Sequence, residues 1–404
     1  MSTTSFWKTG HTPTLLAAFF YFDLSFMVWV ILGPLGVQIA KDLGLSAAQK
    51  GLMVATPLLA GALLRIVMGV LVDHLKPKRA GAIGQVIVML GMCWAWKGDL
   101  HSYTSLLLLG VILGVAGAAF AVALPLASRW YPPEHQGTAL GIAGAGNSGT
   151  AFAALFAPAL GLAFGWQNVF GLCLLPLGVA FVVYLVFAKD APSSPPPKSL
   201  PEYLQVLKYK DAWWFMFFYG VTFGGFSGLA SSLTIYFNTQ YGLSPVMAGY
   251  FTAACVFAGS IVRPIGGRMA DRIGGIRTLS VMYALAATFL FIASIGLASS
   301  TAAVIVFVLA MLALGTGNGA VFQLVPQRFR KEIGVMTGLV GMAGGIGGFY
   351  LASSLGYSRQ ITGSYQLGLV IFAGLAVIAL LGLSLVKSRW RTTWGSAAMT
   401  TARI

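Results

Sequence analysis

Twelve apolar runs recur along the chain, each long enough to cross a bilayer as a helix, and this excludes almost every soluble fold. The runs lie at approximately 15–39, 51–72, 80–96, 103–128, 138–163 and 168–187, then at 212–237, 246–267, 278–298, 302–324, 334–356 and 365–386. Only 9% of the 404 residues are charged and 57% are hydrophobic, where a soluble domain carries about a quarter charged residues. Lipid offers no partner for a bare peptide group, so runs of this length are read as helices and the chain as an all-α membrane protein. The first run, from Leu15 to about Ile39, is longer than the core of a secretory signal and lacks a small-residue cleavage pattern behind it, which predicts a first span rather than a removed leader.

The runs divide six and six around 188–211, a Pro/Ser-rich stretch followed by a short amphipathic piece. The expected organisation is an N-terminal six-helix half over 1–187, a cytoplasmic linker over 188–211, and a C-terminal six-helix half with a short cytoplasmic tail over 212–404. Placing both termini in the cytoplasm puts nineteen of the 25 Lys and Arg on that side. The opposite loops hold four: Lys41, Lys50, Lys97 and Arg359. Such an imbalance is the positive-inside pattern and predicts a multi-pass protein of the cytoplasmic (inner) membrane. It also gives the net charge of +15 a location at the lipid surface, so nucleic acid is not an expected partner. Cys93, Cys173 and Cys255 lie in apolar runs without ligand-like spacing and read as packed small hydrophobes. Neither a metal nor another cofactor is expected.

The halves repeat. Gly69 precedes Asp73 by four residues, with Lys78 and Arg79 beyond, and Gly267 precedes Asp271 by four, with Arg272 and Arg277 beyond. The glycine permits close helix approach, and the aspartate can bond a helix start or pair with a loop cation. This doubled pattern, 198 residues apart, resembles the loop signature of the major facilitator superfamily. The resemblance implies twelve transmembrane helices in two pseudo-symmetric six-helix halves, with a substrate site near the midplane between them. The same shift of 198 carries Arg65 onto Arg263, Tyr21 onto Tyr219, and Gly144–Gly149 onto a second glycine-rich segment, 342–347.

Arg65 and Arg263 are the two cations that fall inside spans. Each costs from about 3 to over 10 kcal/mol in lipid unless it finds a partner. Snorkelling is one answer, since Arg65 is some seven residues, about 10 Å, from the end of its run. Of the ten acidic residues, however, Asp23 alone lies well inside a span. Two facing cations with at most one internal carboxylate leave positive charge that a permeating anion neutralises, and guanidinium forks suit a planar oxyanion.

The segments 141–149 and 341–349 place Gly144, Gly146, Gly149, Gly344, Gly345, Gly347 and Gly348 in the fifth and eleventh spans, where glycine lets helix backbones pack closely and pivot. Asn147 adds an amide donor. These two segments look like the paired signatures of the nitrate/nitrite porter family. The resemblance runs through essentially the whole chain and includes Arg65, Gly117–Phe120, Tyr219–Phe223 and Ser260–Gly267. It implies that Arg65 and Arg263 hold nitrate or nitrite, that Phe120 and Phe223 cover its faces, and that Tyr219 supplies a hydroxyl. A monomeric transporter, and not an enzyme, is expected.

A channel is the first rival reading, but a doubled repeat with glycine-rich pivots fits rocking between two open states better than a fixed pore. An intramembrane enzyme has no support, since His11, His74, His101 and His135 lie in loops or at span ends. Formate or oxalate remains compatible with the arginines. The expected coupling is proton symport through Asp23, midway through the first run; the alternatives are nitrate/nitrite exchange, or a structural Asp23 serving as counter-ion or helix-stabilising acceptor.

Overall fold

The computed structural model describes residues 6–98, 100–192, 200–329 and 332–394. The Pro/Ser core of the linker, the loop cations Arg330 and Lys331, and the tail beyond 394 lie outside these residues. The described residues form an all-helical bundle in which eleven helices are long and apolar enough to cross a membrane. A twelfth long helix, Lys210–Tyr241, has 32 residues. Thr222, Ser227, Ser231, Ser232 and Thr234 lower its mean hydropathy, yet all five are buried, because neighbouring spans rather than lipid surround it. Side chains such as Leu175, Ile361 and Leu385 show the opposite behaviour and project outward from the bundle.

The first half comprises Thr12–Trp29, continued by Gly36–Leu43, then Ala47–Leu75, Pro77–Lys97, Tyr103–Gly117 with Phe120–Ser128, Pro133–Gly144 with Gly149–Phe164, and Trp166–Phe187. The second comprises Lys210–Tyr241, Pro245–Ile273, Gly275–Ser294, Ser300–Arg328, Ile333–Thr362 and Gln366–Thr392. These are spans one to twelve in order.

Three first-half spans read as continuous in the sequence are broken. The first stops at Trp29 and passes through turns before Gly36–Leu43. Pro34 has no N–H to continue the helix, and Gly33 lies so close to the seventh span that a Cβ there would be 2.2 Å from the Ser231 carbonyl oxygen. The fourth breaks at Ala118–Ala119, and the fifth tightens into a 3₁₀ turn over Ala145–Ser148. The corresponding C-terminal helices run through, so the repeat is symmetric in sequence but not in helix continuity.

The two halves touch most closely at the membrane face opposite the linker. Gly33 meets Ser231, Gly51 meets Gly356, and Gly249 meets the Ala154 carbonyl, all at distances that leave no room for a Cβ. On the linker side, a Cβ at Gly141, Gly334 or Gly338 would have nothing within 4 Å. The bundle is sealed on one face and looser on the other.

The repeated loop motif is also wired differently in the two halves. Asp73 pairs with Arg129 of the fourth span at 3.0 Å. Asp271 is exposed, and Gln327 stands where the shift of 198 would put the counterpart of Arg129. The C-terminal half instead gathers its linker-side ends on Asp211, which accepts from Arg328 Nε at 2.8 Å, from Trp390 Nε1 at 2.8 Å, and from Arg389.

Candidate anion site between the halves

Breaking the fourth span has a direct chemical consequence. In an uninterrupted helix the Gly117 carbonyl would accept from Ala121, but here the Ala121 N–H donates to Ala118 at 2.9 Å. The Gly117 oxygen accepts from Arg65 Nε at 3.1 Å instead. Arg65 Nη1 donates to the carbonyl of Gly341 in the eleventh span. Glycine there leaves the helix surface low enough for Arg65 to lie on it: a Cβ at Gly341 would stand 3.1 Å from the Phe120 ring and 3.5 Å from Arg65 Cδ. Carbonyl oxygens with spare lone pairs thus stabilise a cation that has no carboxylate partner among the described residues.

Rings complete its surroundings. The guanidinium carbon of Arg65 is 5.0 Å from the centre of Phe120, 5.4 Å from Phe223, 5.4 Å from Trp29 and 6.0 Å from Phe26. At these distances the ring faces attract the charge, and desolvation strengthens the attraction. Trp29 is held by its own bond, Nε1 donating to the Pro57 carbonyl at 2.7 Å. Arg65 is wholly buried, and its Nη2 has no hydrogen-bond partner.

Arg263, in the eighth span, is nearly as buried, at 8% exposure. Its Nη2 donates to the Tyr219 hydroxyl at 3.1 Å, and its guanidinium lies 5.5 Å from the ring of Phe322. Its Nη1 is buried without a partner. Tyr219 stacks on Phe223 at 5.1 Å and 5°, and meets Phe322 edge-on at 5.0 Å. Phe322 is 6.0 Å from Phe120. One set of touching rings therefore joins the surroundings of the two arginines.

Of the residues singled out in the sequence, Arg65, Arg263, Phe120, Phe223 and Tyr219 come together here. Phe120 and Phe223 both lie on Arg65, and Phe223 also backs Tyr219. Gly144 is beside Arg263, its Cβ position 3.9 Å from the guanidinium carbon. Asn147 is fully buried, with both amide atoms unpartnered. The other glycines are points of helix contact. Gly146 and Gly149 lie against Phe22 and Asp23, Gly344 against the rings of Tyr219 and Phe223, Gly345 against Leu58 and Ala62, Gly347 against Gly220, and Gly348 against Ser227.

Asp23 is not joined to either arginine. Its carboxylate accepts from Ser148 Oγ at 2.6 Å, at the end of the 3₁₀ turn in the fifth span. Tyr21, the repeat counterpart of Tyr219, packs its ring against Tyr184 at 4.6 Å, tilted by 33°, instead.

Four contributors were not evident in the sequence: the Gly117 carbonyl, Trp29, Phe322 and Asn318. Asn318 is completely buried with both amide atoms unpartnered, one turn before Phe322 on the same helix. Its setting between Gly317 and Gly319 was the available signal, since glycines on both sides of a lone amide mark close backbone approach. A Cβ at Gly319 would be 2.3 Å from the Arg263 carbonyl oxygen.

Two six-helix halves enclosing a buried, carboxylate-poor arginine pair define a membrane carrier with a cationic centre. The Major Facilitator Superfamily model matches residues 15–352. "Probable nitrate/nitrite transporter NarK2" of Mycobacterium tuberculosis is 33% identical over 377 residues, covering 92% of this chain and 95% of that protein. The "Nitrite extrusion protein" of Bacillus subtilis is 33% identical, with 89% and 90% covered. The "Probable nitrate/nitrite antiporter NarK1" of Thermus thermophilus is 30% identical, with 90% and 89% covered. Among solved structures, a bacterial homologue of the human lysosomal transporter Spinster, inward-facing and occupied, superposes with a TM-score of 0.71 at 19% identity, covering 94% of this chain and 97% of that one. The chain belongs to the Major Facilitator Superfamily and, within it, to the nitrate/nitrite porter family.

Proposed function

We propose that the protein carries nitrate and nitrite across the cytoplasmic membrane by alternating access, as a monomer, with Arg65 and Arg263 as the ligands of the anion. One observation carries this reading: each guanidinium keeps one buried nitrogen without a hydrogen-bond partner, Nη2 of Arg65 and Nη1 of Arg263. An orphaned cationic donor in a dry site is costly, and a small oxyanion relieves two at once. The flat faces of Phe120, Phe223, Tyr219 and Phe322 favour a planar, weakly hydrated anion over sulfate or phosphate, whose stronger hydration the site has few donors to replace. Asn147 and Asn318 add amides on opposite halves. The names of the relatives point to the same substrates.

The positive-inside count supports a cytoplasmic linker, so the sealed face of the bundle is external and this conformation is closed to the outside. Protons couple through Asp23. Protonation removes the negative charge that strengthens the bond from Ser148 Oγ and so loosens the first span from the break in the fifth. Nitrate/nitrite exchange is the second reading, favoured by the bare charge of the arginines, which disfavours closure of the empty carrier. The test is initial-rate uptake of labelled nitrate into proteoliposomes with nitrite, formate, oxalate or sulfate as competitors. Strong competition by nitrite and weak competition by the others is expected; stronger inhibition by formate or oxalate would reassign the substrate.

A further inference from the structure

We propose that Lys41 and Lys50 form an anion-recruiting site at the sealed external face, which feeds the central arginines along a stripe of serines in the seventh span. The proposal rests on the anion-transport reading and on the orientation given above. A cavity of about 450 Å³ lies at this face, lined by Lys41, Lys50, Ile235, Asn238 and Thr239 among others. A second, much smaller cavity shares Lys50 and Ile235 with it and reaches inward to Ser232. Beyond lie Ser231 and Ser227, then Phe223, whose ring faces Arg65. Residues 223, 227 and 231 fall on successive turns of one helix and so on one stripe.

The hydroxyls of Ser227, Ser231 and Ser232 are buried and have no hydrogen-bond partner. Helical serines ordinarily bond back to a carbonyl one turn away, as Ser260 and Ser353 do here. Three orphaned hydroxyls between the outer cavity and the arginine site are donors for a partly dehydrated ion in transit. In this conformation the stripe is part of the external seal, since the Ser231 backbone abuts Gly33 and Ser227 Oγ abuts Gly348.

The charge at the mouth is cationic. Lys41 and Lys50 line it, and Arg359, from the end of the eleventh span, is near enough to repel Lys50. The nearby carboxylate, Asp42, accepts from Trp166 Nε1 at 2.7 Å. A concave, low-dielectric mouth focuses such a field and concentrates anions. Lysine suits a transient site, because a strongly hydrated ammonium attracts the ion without the planar fork that would retain it.

Lys41→Gln and Lys50→Gln, singly and together, are compared with the parent and with Lys97→Gln, whose ammonium packs on Trp96 instead. Nitrate KM is measured from each side, in right-side-out and inside-out vesicles, at low and high ionic strength. The double variant should raise the external KM about fivefold at low salt, with the difference shrinking at high salt, while the internal KM and the Lys97→Gln control stay put. An unchanged external KM, or an equal change on both sides, overturns the proposal. A second measurement needs no transport. Ala40→Cys, at the cavity wall, should react faster with an anionic than with a cationic methanethiosulfonate, and adding Lys50→Gln should remove the preference. If nitrate flux fails but this preference holds, the substrate reading falls while the recruiting site stands; no preference in the parent overturns the site itself.

Discussion

Arg65 of the second span donates from Nε to the carbonyl of Gly117 in the fourth, 3.1 Å away, at the residue where that helix breaks. The break frees the acceptor, and the absence of a side chain at Gly117 admits Trp29, whose Nε1 would be 2.3 Å from a Cβ there. Cation, helix break and aromatic wall are one construction, and its donors left over point to an anion. Each element of it can be altered separately.

The aromatic surroundings are expected to set affinity. Phe120→Ala removes the ring nearest Arg65 and Phe223→Ala removes one shared by Arg65 and Tyr219. Each should raise the nitrate KM about tenfold through lost cation–π support and a wetter site. Competition by sulfate should strengthen in the same variants. Unchanged KM and unchanged discrimination would make the rings packing alone.

Gly344→Ala should impair turnover far more than Gly374→Ala. A Cβ at Gly344 would stand 2.8 Å from both Tyr219 and Phe223, whereas one at Gly374 meets nothing within 4 Å. Overpacking of this kind typically costs 1–3 kcal/mol. The check is exchange rate per inserted molecule; equal rates would remove the eleventh-span glycines from the account.

The apolar runs, the six-and-six division and the arginine pair were all legible in the sequence, because a charge inside an apolar run has few innocent explanations. The breaks were less so. Gly33-Pro34 carries a turn signal, but it is embedded in an apolar run whose length alone suggests one helix. Nothing in Val115–Val122 marks the break after Gly117; it depends on an arginine 52 residues earlier that takes the freed carbonyl. Asn318 was hidden for a similar reason, since a lone amide declares its burial only once three helices close around it. The glycines of 341–349 were visible, but that each meets a different neighbour, from Arg65 through Tyr219 to Gly220, is a tertiary fact.

The two loop-motif aspartates should differ in consequence. Asp73→Asn weakens a half-buried pair with Arg129, with 11% and 17% side-chain exposure, and should lower the thermal midpoint in detergent by an amount corresponding to about 1–3 kcal/mol. Asp271→Asn, on an exposed carboxylate, should shift it by less than about 0.5 kcal/mol. Equal shifts would mean that the repeat is symmetric in energy after all.

Asp23→Asn separates the two coupling schemes. It retains an acceptor for Ser148 but removes the titrating charge. Uptake driven by a pH gradient should fall to background while nitrate/nitrite counterflow continues. Undiminished pH-driven accumulation would rule out Asp23 as the proton carrier, and loss of both activities would make it structural.

The anion site itself is tested most directly by Arg65→Lys and Arg263→Lys in nitrate/nitrite counterflow with purified protein in liposomes. Lysine keeps the charge but not the fork. At position 65 it cannot satisfy the Gly117 and Gly341 carbonyls while also presenting a second planar donor, and at position 263 it cannot hold the Tyr219 hydroxyl and an anion in one plane. Both variants should insert and remain monodisperse, and each should lose counterflow by at least about a hundredfold, as expected when a bidentate charged contact worth about 3 kcal/mol is removed. Counterflow within about twofold of the parent in either variant would contradict the assignment of the two arginines as the ligands of the transported anion.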